Sequence, residues 1–480
     1  MSRRRIGKVC VRGELVARTP VSVGGMGAGE HVDLDVAVDG SGKFYIPGSS
    51  LAGPMRAWLT QNLASAELSD ELFGFIHPKE DNGQASLLYV EDSPASKAAR
   101  ERRHGIGLRE DSGTVADGVL YTRALLPRGV RFPLEMELDI DKSPEPGTEH
   151  PAGALALLLR ALCEGKVRFG ACKTRGMGEL RLEGLEVDYY DFAGDPDALD
   201  LWFDGRKAAC RGLEALEGFG TPKLREARLY EATIDWRALS PVMVKAGRDG
   251  AETDMLPLMS GVGGAGKIAP VIPGSSVKGA LRAQARRILH TLFDPNGKKA
   301  SEKPKYLAVL DLLFGSAERA GRMSVGDVYY RSSVSSGDWM EEKSEVLNAV
   351  TERRQHVAID RFTGGASEGA LYSVRPVRRD KENQEGGWEP IRLSLDLSGF
   401  SEKQVCTALA LLKLLLRDLQ DGYLPIGFGS RRGLGEIVVP EGGIRYLDFP
   451  GDAELQLAWN AFVDEGGAFG PQQEEANGGV

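Results

Sequence analysis

Two glycine-rich loops carry the carboxylates best placed to do chemistry: GEHVDLDVAVDGSG at 29–42 and GRDGAETDMLPLMSGVGGAG at 247–266. Each precedes an Ile-Pro-Gly-Ser-Ser element and sets aspartates beside apolar residues. RNA cleavage needs a deprotonated 2′-hydroxyl, an aligned phosphate and a stabilised leaving oxygen. A carboxylate can serve there as general base or metal ligand. Solvated loop aspartates are the plain alternative, and residue type alone leaves both open. The six histidines form no metal-spaced cluster. No Ser-His-Asp signature and no Walker loop occurs.

The Ile-Pro-Gly-Ser-Ser elements stand at 46–50 and 272–276, each opening a predicted helix. Proline stiffens the incoming segment, glycine permits a tight turn, and serine is a good N-cap. Free N–H groups and the positive dipole end of such a helix suit phosphate. Lys278 and Arg282, four apart on one face, add full charges to the second copy. The first copy keeps only Arg56, because Ala52 stands in the lysine's place and Pro54 is expected in the first turn. A capped helix with surface cations is the competing reading.

Two further glycine-rich turns close the pattern, FGACKTRGMG at 169–178 and GFGSRRGLG at 427–435. Glycines let backbone approach a sugar-phosphate chain, and Lys173, Arg175, Arg431 and Arg432 are candidate phosphate contacts. An ordinary glycine-rich hairpin would look the same. Neither turn is a dinucleotide site, since each runs into a predicted strand.

The elements that must position these residues occur twice, in one order. Ile-Pro-Gly-Ser-Ser, Leu-Phe-Gly (72–74; 313–315), a His-led segment ending Gly-x-Leu-Tyr (from His104; from His356), an alternating run (FPLEMELDI; IRLSLDL) and a glycine-rich turn recur with an offset drifting from 226 to 257. His104 and His356 read as equivalent. This predicts domains at 1–225 and 226–450, followed by a polar 451–480 tail expected to be disordered. Within each half the order strand, loop, helix, strands, helix, strand predicts an α+β fold of two tandem ferredoxin-like (split βαβ) units, a sheet type shared with RNA-recognition modules.

Charge and composition narrow the classes. With 60 basic against 69 acidic residues the net charge is −9, so any nucleic-acid site must be a local basic track on an acidic body. The five cysteines form no CxxC pair, which argues against disulfides or structural zinc and fits a reducing cytoplasm. No apolar run reaches the roughly 18–20 residues needed to cross a membrane.

The paired IPGSSLAGPMR and IPGSSVKGALR, the Leu-Phe-Gly elements, IDRFTGGASEGALY and GFGSRRGLGE together resemble the RAMP superfamily of CRISPR effector proteins. More narrowly they are similar to the backbone subunits of type III complexes, with two copies fused. The resemblance implies a guide-RNA-binding subunit that cuts complementary target RNA at regular intervals through a loop aspartate with a divalent metal, Mg2+ being expected. The matching aspartates, as catalytic and metal-holding residues, are Asp33 and Asp254, with Asp35 and Asp249 as alternates. Ser49, Ser50, Arg56, Lys173, Arg175, Ser275, Ser276, Lys278, Arg282, Arg361, Arg431 and Arg432 match RNA contacts. The segment after His104 or His356 resembles a thumb-like hairpin. Implied partners are guide RNA, target RNA, other RAMP-type subunits, a small helical subunit and a large signalling subunit. A non-catalytic scaffold is the first alternative. A guide-processing nuclease using His290 is the second, disfavoured by the doubled motifs.

Overall fold

The structure is a computed structural model that describes residues 5–25, 32–76, 83–109, 115–143, 148–246, 253–263, 266–294, 304–381 and 387–469. The first repeat comprises β1 (Gly7–Ala17), α1 (Gly48–Asn62), α2 (Glu67–Phe73), β2 (Leu88–Val90), β3 (Glu101–Leu108), β4 (Val115–Leu125), β5 (Arg131–Ile140), α3 (Pro151–Glu164), β6 (Leu180–Asp191), α4 (Ala198–Phe203) and β7 (Cys210–Arg211). Alternation in β5, with Phe132, Leu134, Met136 and Leu138 inward, commits one face of its sheet to the core. The antiparallel sheet runs β2-β5-β1-β6-β7. Its first four strands have the order expected of a split βαβ unit, with α1 and α3 against the inner face. α4 covers part of the outer face, where Cys10 and Tyr190 pack with Ala198 and Trp202.

The second repeat comprises β8 (Leu229–Ile234), β9 (Met259–Gly261), β10 (Lys267–Ile272), α5 (Gly274–Phe293), α6 (Ala308–Phe314), β11 (Met323–Val325), β12 (Arg354–Ile359), β13 (Ala366–Val374), β14 (Ile391–Asp396), α7 (Glu402–Gln420), β15 (Ile444–Leu447) and α8 (Asp452–Asp464). Its sheet, β11-β14-β8-β15, repeats that strand order. The tandem α+β reading therefore holds, and each repeat buries its own core. Ser401 and Gln404 form a capping box that starts α7. Leu409, Leu412, Leu416 and Leu419 then bury its inner stripe. No helix among the described residues is long and apolar enough to cross a membrane.

Two expectations about elements need correction. The 451–480 segment is not wholly disordered: α8 inserts Leu455, Trp459 and Phe462 into the second core, and Phe469 follows them. Its apolar residues at i, i+4 and i+7 outweigh the flanking glycines. Residues 470–480 lie outside the described residues. Pro54 falls in the second turn of α1, not the first.

From each sheet projects a two-stranded antiparallel hairpin, β3–β4 in the first repeat and β12–β13 in the second. Both leave apolar side chains exposed toward the tip: Ile106 and Leu120 in one, Ile359, Phe362 and Leu371 in the other.

Candidate catalytic and RNA-binding site

Each aspartate loop docks on its own repeat's hairpin in the same way. The Thr122 backbone N–H donates to Asp33 Oδ2 at 2.6 Å, and Asp33 N–H donates to the Thr122 carbonyl at 3.0 Å. In the second repeat Ser373 N–H donates to Asp254 Oδ2 at 2.6 Å, and its hydroxyl donates to the same oxygen at 2.9 Å. The residue after each aspartate forms a parallel bridge to the hairpin, Leu34 to Arg123 and Met255 to Val374. Asp33 and Asp254 are thus structurally equivalent despite unequal loops, and both are exposed. Hydrogen bonds from Ser373, first the backbone N–H and then the hydroxyl, hold the Asp254 carboxyl below the usual carboxylate range.

The alternates fare differently. Asp35 is tied up by Arg100 at 2.7 Å and by its neighbour's N–H, while Asp249 lies outside the described residues.

Beside each aspartate's anchor, a hairpin tyrosine meets an arginine of the glycine-rich turn. Arg175 donates to Tyr121 at 3.3 Å, and Arg432 donates to Tyr372. Lys173, Arg175, Arg431 and Arg432 are exposed, as is Arg361 near the second hairpin's tip. Arg175 and Arg432 are thereby tied to the hairpin residues next to the two anchors, and exposed Arg353 also lowers the Asp254 pKa through its charge.

The two histidines are not equivalent. His104 pairs across its hairpin with Thr122, whereas His356 pairs with Tyr372. Aligning Tyr121 with Tyr372 places Gly105 opposite His356 and Gln355 opposite His104. That one-residue step sends the two imidazoles to opposite faces. His104 Nδ1 lies 3.0 Å from the Thr122 hydroxyl, on the residue that anchors Asp33. His356 stacks on Tyr372 at 5.3 Å between centroids. His290 has both ring nitrogens engaged, by Tyr306 at 3.0 Å and Arg286 at 3.3 Å.

The Ile-Pro-Gly-Ser-Ser elements correct the expected phosphate cradle. Neither helix start has a serine N-cap, because Pro47 and Pro273 occupy that position. A remote carboxylate caps each first turn instead: Gly48 N–H donates to Asp92 at 2.7 Å, and Gly274 N–H donates to Asp327 at 2.8 Å. A fixed negative charge already sits where a phosphate was expected. Ser49 and Ser275 remain exposed, and Ser50 and Ser276 half-buried. Lys278 is buried, donating to the Met323 carbonyl at 2.6 Å and toward Thr174 of the first repeat at 3.4 Å. Burial lowers its ammonium pKa to about 8, so it is a joint residue and not a surface phosphate contact. Arg282 donates to the Gly315 carbonyl, and Arg56 pairs with Asp70 at 2.7 Å.

Sequence reading missed the joint between the repeats. Arg103 of β3 reaches a buried ion pair with Asp327, their side chains 6% and 0% exposed. Burial alone would lower the Arg103 pKa, but the Asp327 carboxylate more than offsets it. Arg103 also donates to Ser260 at 3.1 Å, and Ser260 donates to Glu101 at 2.9 Å. A short repeated signal was present: Val90-Glu91-Asp92 and Val325-Gly326-Asp327 follow the helix starts at comparable distances.

A cleft of about 2030 Å3 separates the first repeat's helices from the second repeat's sheet. It is lined by cations such as Arg160, Arg168 and Arg392 and by carboxylates such as Glu179, Glu231 and Asp396, and it includes neither aspartate of the doubled site. Among the described residues, the trio with metal-ligand spacing is Glu402, Cys406 and Glu454. There burial and the two carboxylates raise the thiol pKa to about 11, leaving it protonated. Asp33 and Asp254 each offer a single carboxylate. That fits Mg2+ held partly by substrate phosphates and water, and does not fit a cation held by protein alone.

Comparison with protein families matches residues 14–181 and 237–438 to the RAMP superfamily. No curated protein matches the chain.

Proposed function

Since this chain belongs to the RAMP superfamily, a group associated with CRISPR effector complexes, we propose that it is a double backbone subunit of a type III complex, holding guide RNA and cutting the paired target strand at two places. The observation that carries this reading is the doubled site: two exposed carboxylates at equivalent positions, each hung from a hairpin beside a tyrosine–arginine pair.

The chemistry follows from the bonding. A carboxylate stabilised in its charged form is a weak proton acceptor near neutral pH. Asp254 therefore acts chiefly by holding a cation or orienting the attacking hydroxyl, and Asp33 is assigned the same role by equivalence. Mg2+, where bound, would supply charge neutralisation at the scissile phosphate. Fixing one carboxylate oxygen on the hairpin leaves the other directed by the same anchor, which limits the geometries a substrate can meet. Arg175 and Arg432 supply the positive charge that an RNA backbone requires.

The test is the double substitution Asp33→Ala/Asp254→Ala in a complex assembled with guide RNA. Guide RNA should co-purify undiminished, while complementary RNA should remain whole in Mg2+. Cleavage at the wild-type rate would refute the assignment. Whole target RNA with the wild-type complex in Mg2+ would favour a scaffold instead.

A further inference from the structure

The joint between the two repeats has counterparts at the chain's outer ends. On the plug side, Glu101 and Arg103 of β3 correspond to Glu352 and Arg354 at the base of the second hairpin, as the matched pairing registers show. Glu101 and Arg103 are sunk in the joint, whereas Glu352 and Arg354 pair with each other at 2.6 Å, 32% and 38% exposed. Gly176, where a Cβ would strike Asp327, corresponds to Gly433, which faces open space. The second repeat thus presents an unused copy of the plug.

On the socket side the match fails. Gly48 and Asp92 reproduce Gly274 and Asp327, and Asp92 is exposed. The surrounding donors are absent. The bridges Val38–Phe44 and Met259–Pro270 place Asp39 where Ser260 stands. Ala52 replaces Lys278, and Pro94 replaces Tyr329. Within the chain, Ser260 donates to Glu101, and Lys278 donates across the joint to the Thr174 carbonyl. On a second copy, Glu352 would meet Asp39, whose own turn pins it as a carboxylate through Ser41 and Lys43. Like charges in a desolvated contact select against that pairing.

We infer that the hairpin end of the second repeat docks on a different chain, one whose shoulder surrounds its aspartate with a hydroxyl donor and a lysine, and that the first repeat's shoulder keeps this protein from stacking on its own copies.

The probe is the chain itself with its shoulder converted. Sedimentation of the full-length protein over a wide concentration range should find wild type monomeric. Asp39→Ser/Ala52→Lys should self-associate, with an association constant raised at least about tenfold for restored hydrogen bonds to a charged group. Adding Arg354→Glu should abolish the gain. Wild-type self-association that Arg354→Glu disrupts would overturn the inference, as would a converted chain that stays monomeric while folded by circular dichroism.

Discussion

Asp254 and Asp33 differ in one respect that chemistry can read. Asp254 receives a hydroxyl as well as a backbone N–H from Ser373, whereas Thr122 turns its hydroxyl to His104. Ser373→Ala therefore removes one of two donors. We expect its product to fall by about tenfold or less, set against the loss of that cut expected when the carboxylate itself is removed. The pH sign is fixed by the depressed Asp254 pKa. Its hydrogen bonds favour docking of the loop above the unfolded value of 3.8 and are lost as pH falls through the lower folded value. Amide exchange at Ser373 should thus stay protected at pH 5 and rise relative to Asp254→Asn only under strongly acid conditions. Protection unchanged by the substitution would contradict the anchor.

At the scale of elements, the helix start of α5 and the base of β3 form one buried polar unit. Removing Arg103 alone leaves Asp327 charged in the core, so Arg103→Ala should cost about 3–5 kcal/mol in denaturant unfolding. Arg103→Met/Asp327→Leu should recover part of that, because Asp327 is no longer stranded while Glu101 still loses the cation that offsets its burial. Lys278 gives a signed pH effect. Its folded pKa of about 8 lies below the ordinary lysine value of 10.5, so between these limits the unfolded chain binds more protons and stability rises with pH. Wild type should gain on Lys278→Met as pH increases from about 8 to 10.5, read as the difference in unfolding midpoints. A flat difference would place the lysine in water.

These elements also show what a sequence can and cannot reveal. The duplication, the strand order and the paired aspartates were legible because each leaves a local mark: a repeated five-residue motif, an alternating run, an acidic loop at a set place. Lys278 was misassigned because helical periodicity says which residues share a face but not what covers that face. The carboxylates capping Gly48 and Gly274 come from 44 and 53 residues away, and the serines between offered a nearer, wrong cap. The histidines looked matched because sequence order cannot register a one-residue step in strand pairing.

For the whole molecule, the C-terminal helix and the joint decide integrity. α8 closes the second core with Leu455, Trp459 and Phe462. A chain ending at Gly451 would expose their contact surface on α7, at roughly 1.5–3 kcal/mol for each large side chain lost from the core. We expect a lower melting temperature for the second repeat and dye binding to exposed apolar surface. A melting curve superimposable on wild type would show the helix to be dispensable. The acidic net charge is compatible with the proposed RNA binding, since Arg175, Arg431 and Arg432 are exposed as local basic points.

The doubled site is tested most directly by mapping cuts on an end-labelled complementary RNA with the assembled complex in Mg2+. With Asp33→Ala one cut should vanish and its neighbour persist, and with Asp254→Ala the reverse. If either single substitution left both cuts at wild-type rates, the two carboxylates would not be the paired cutting sites.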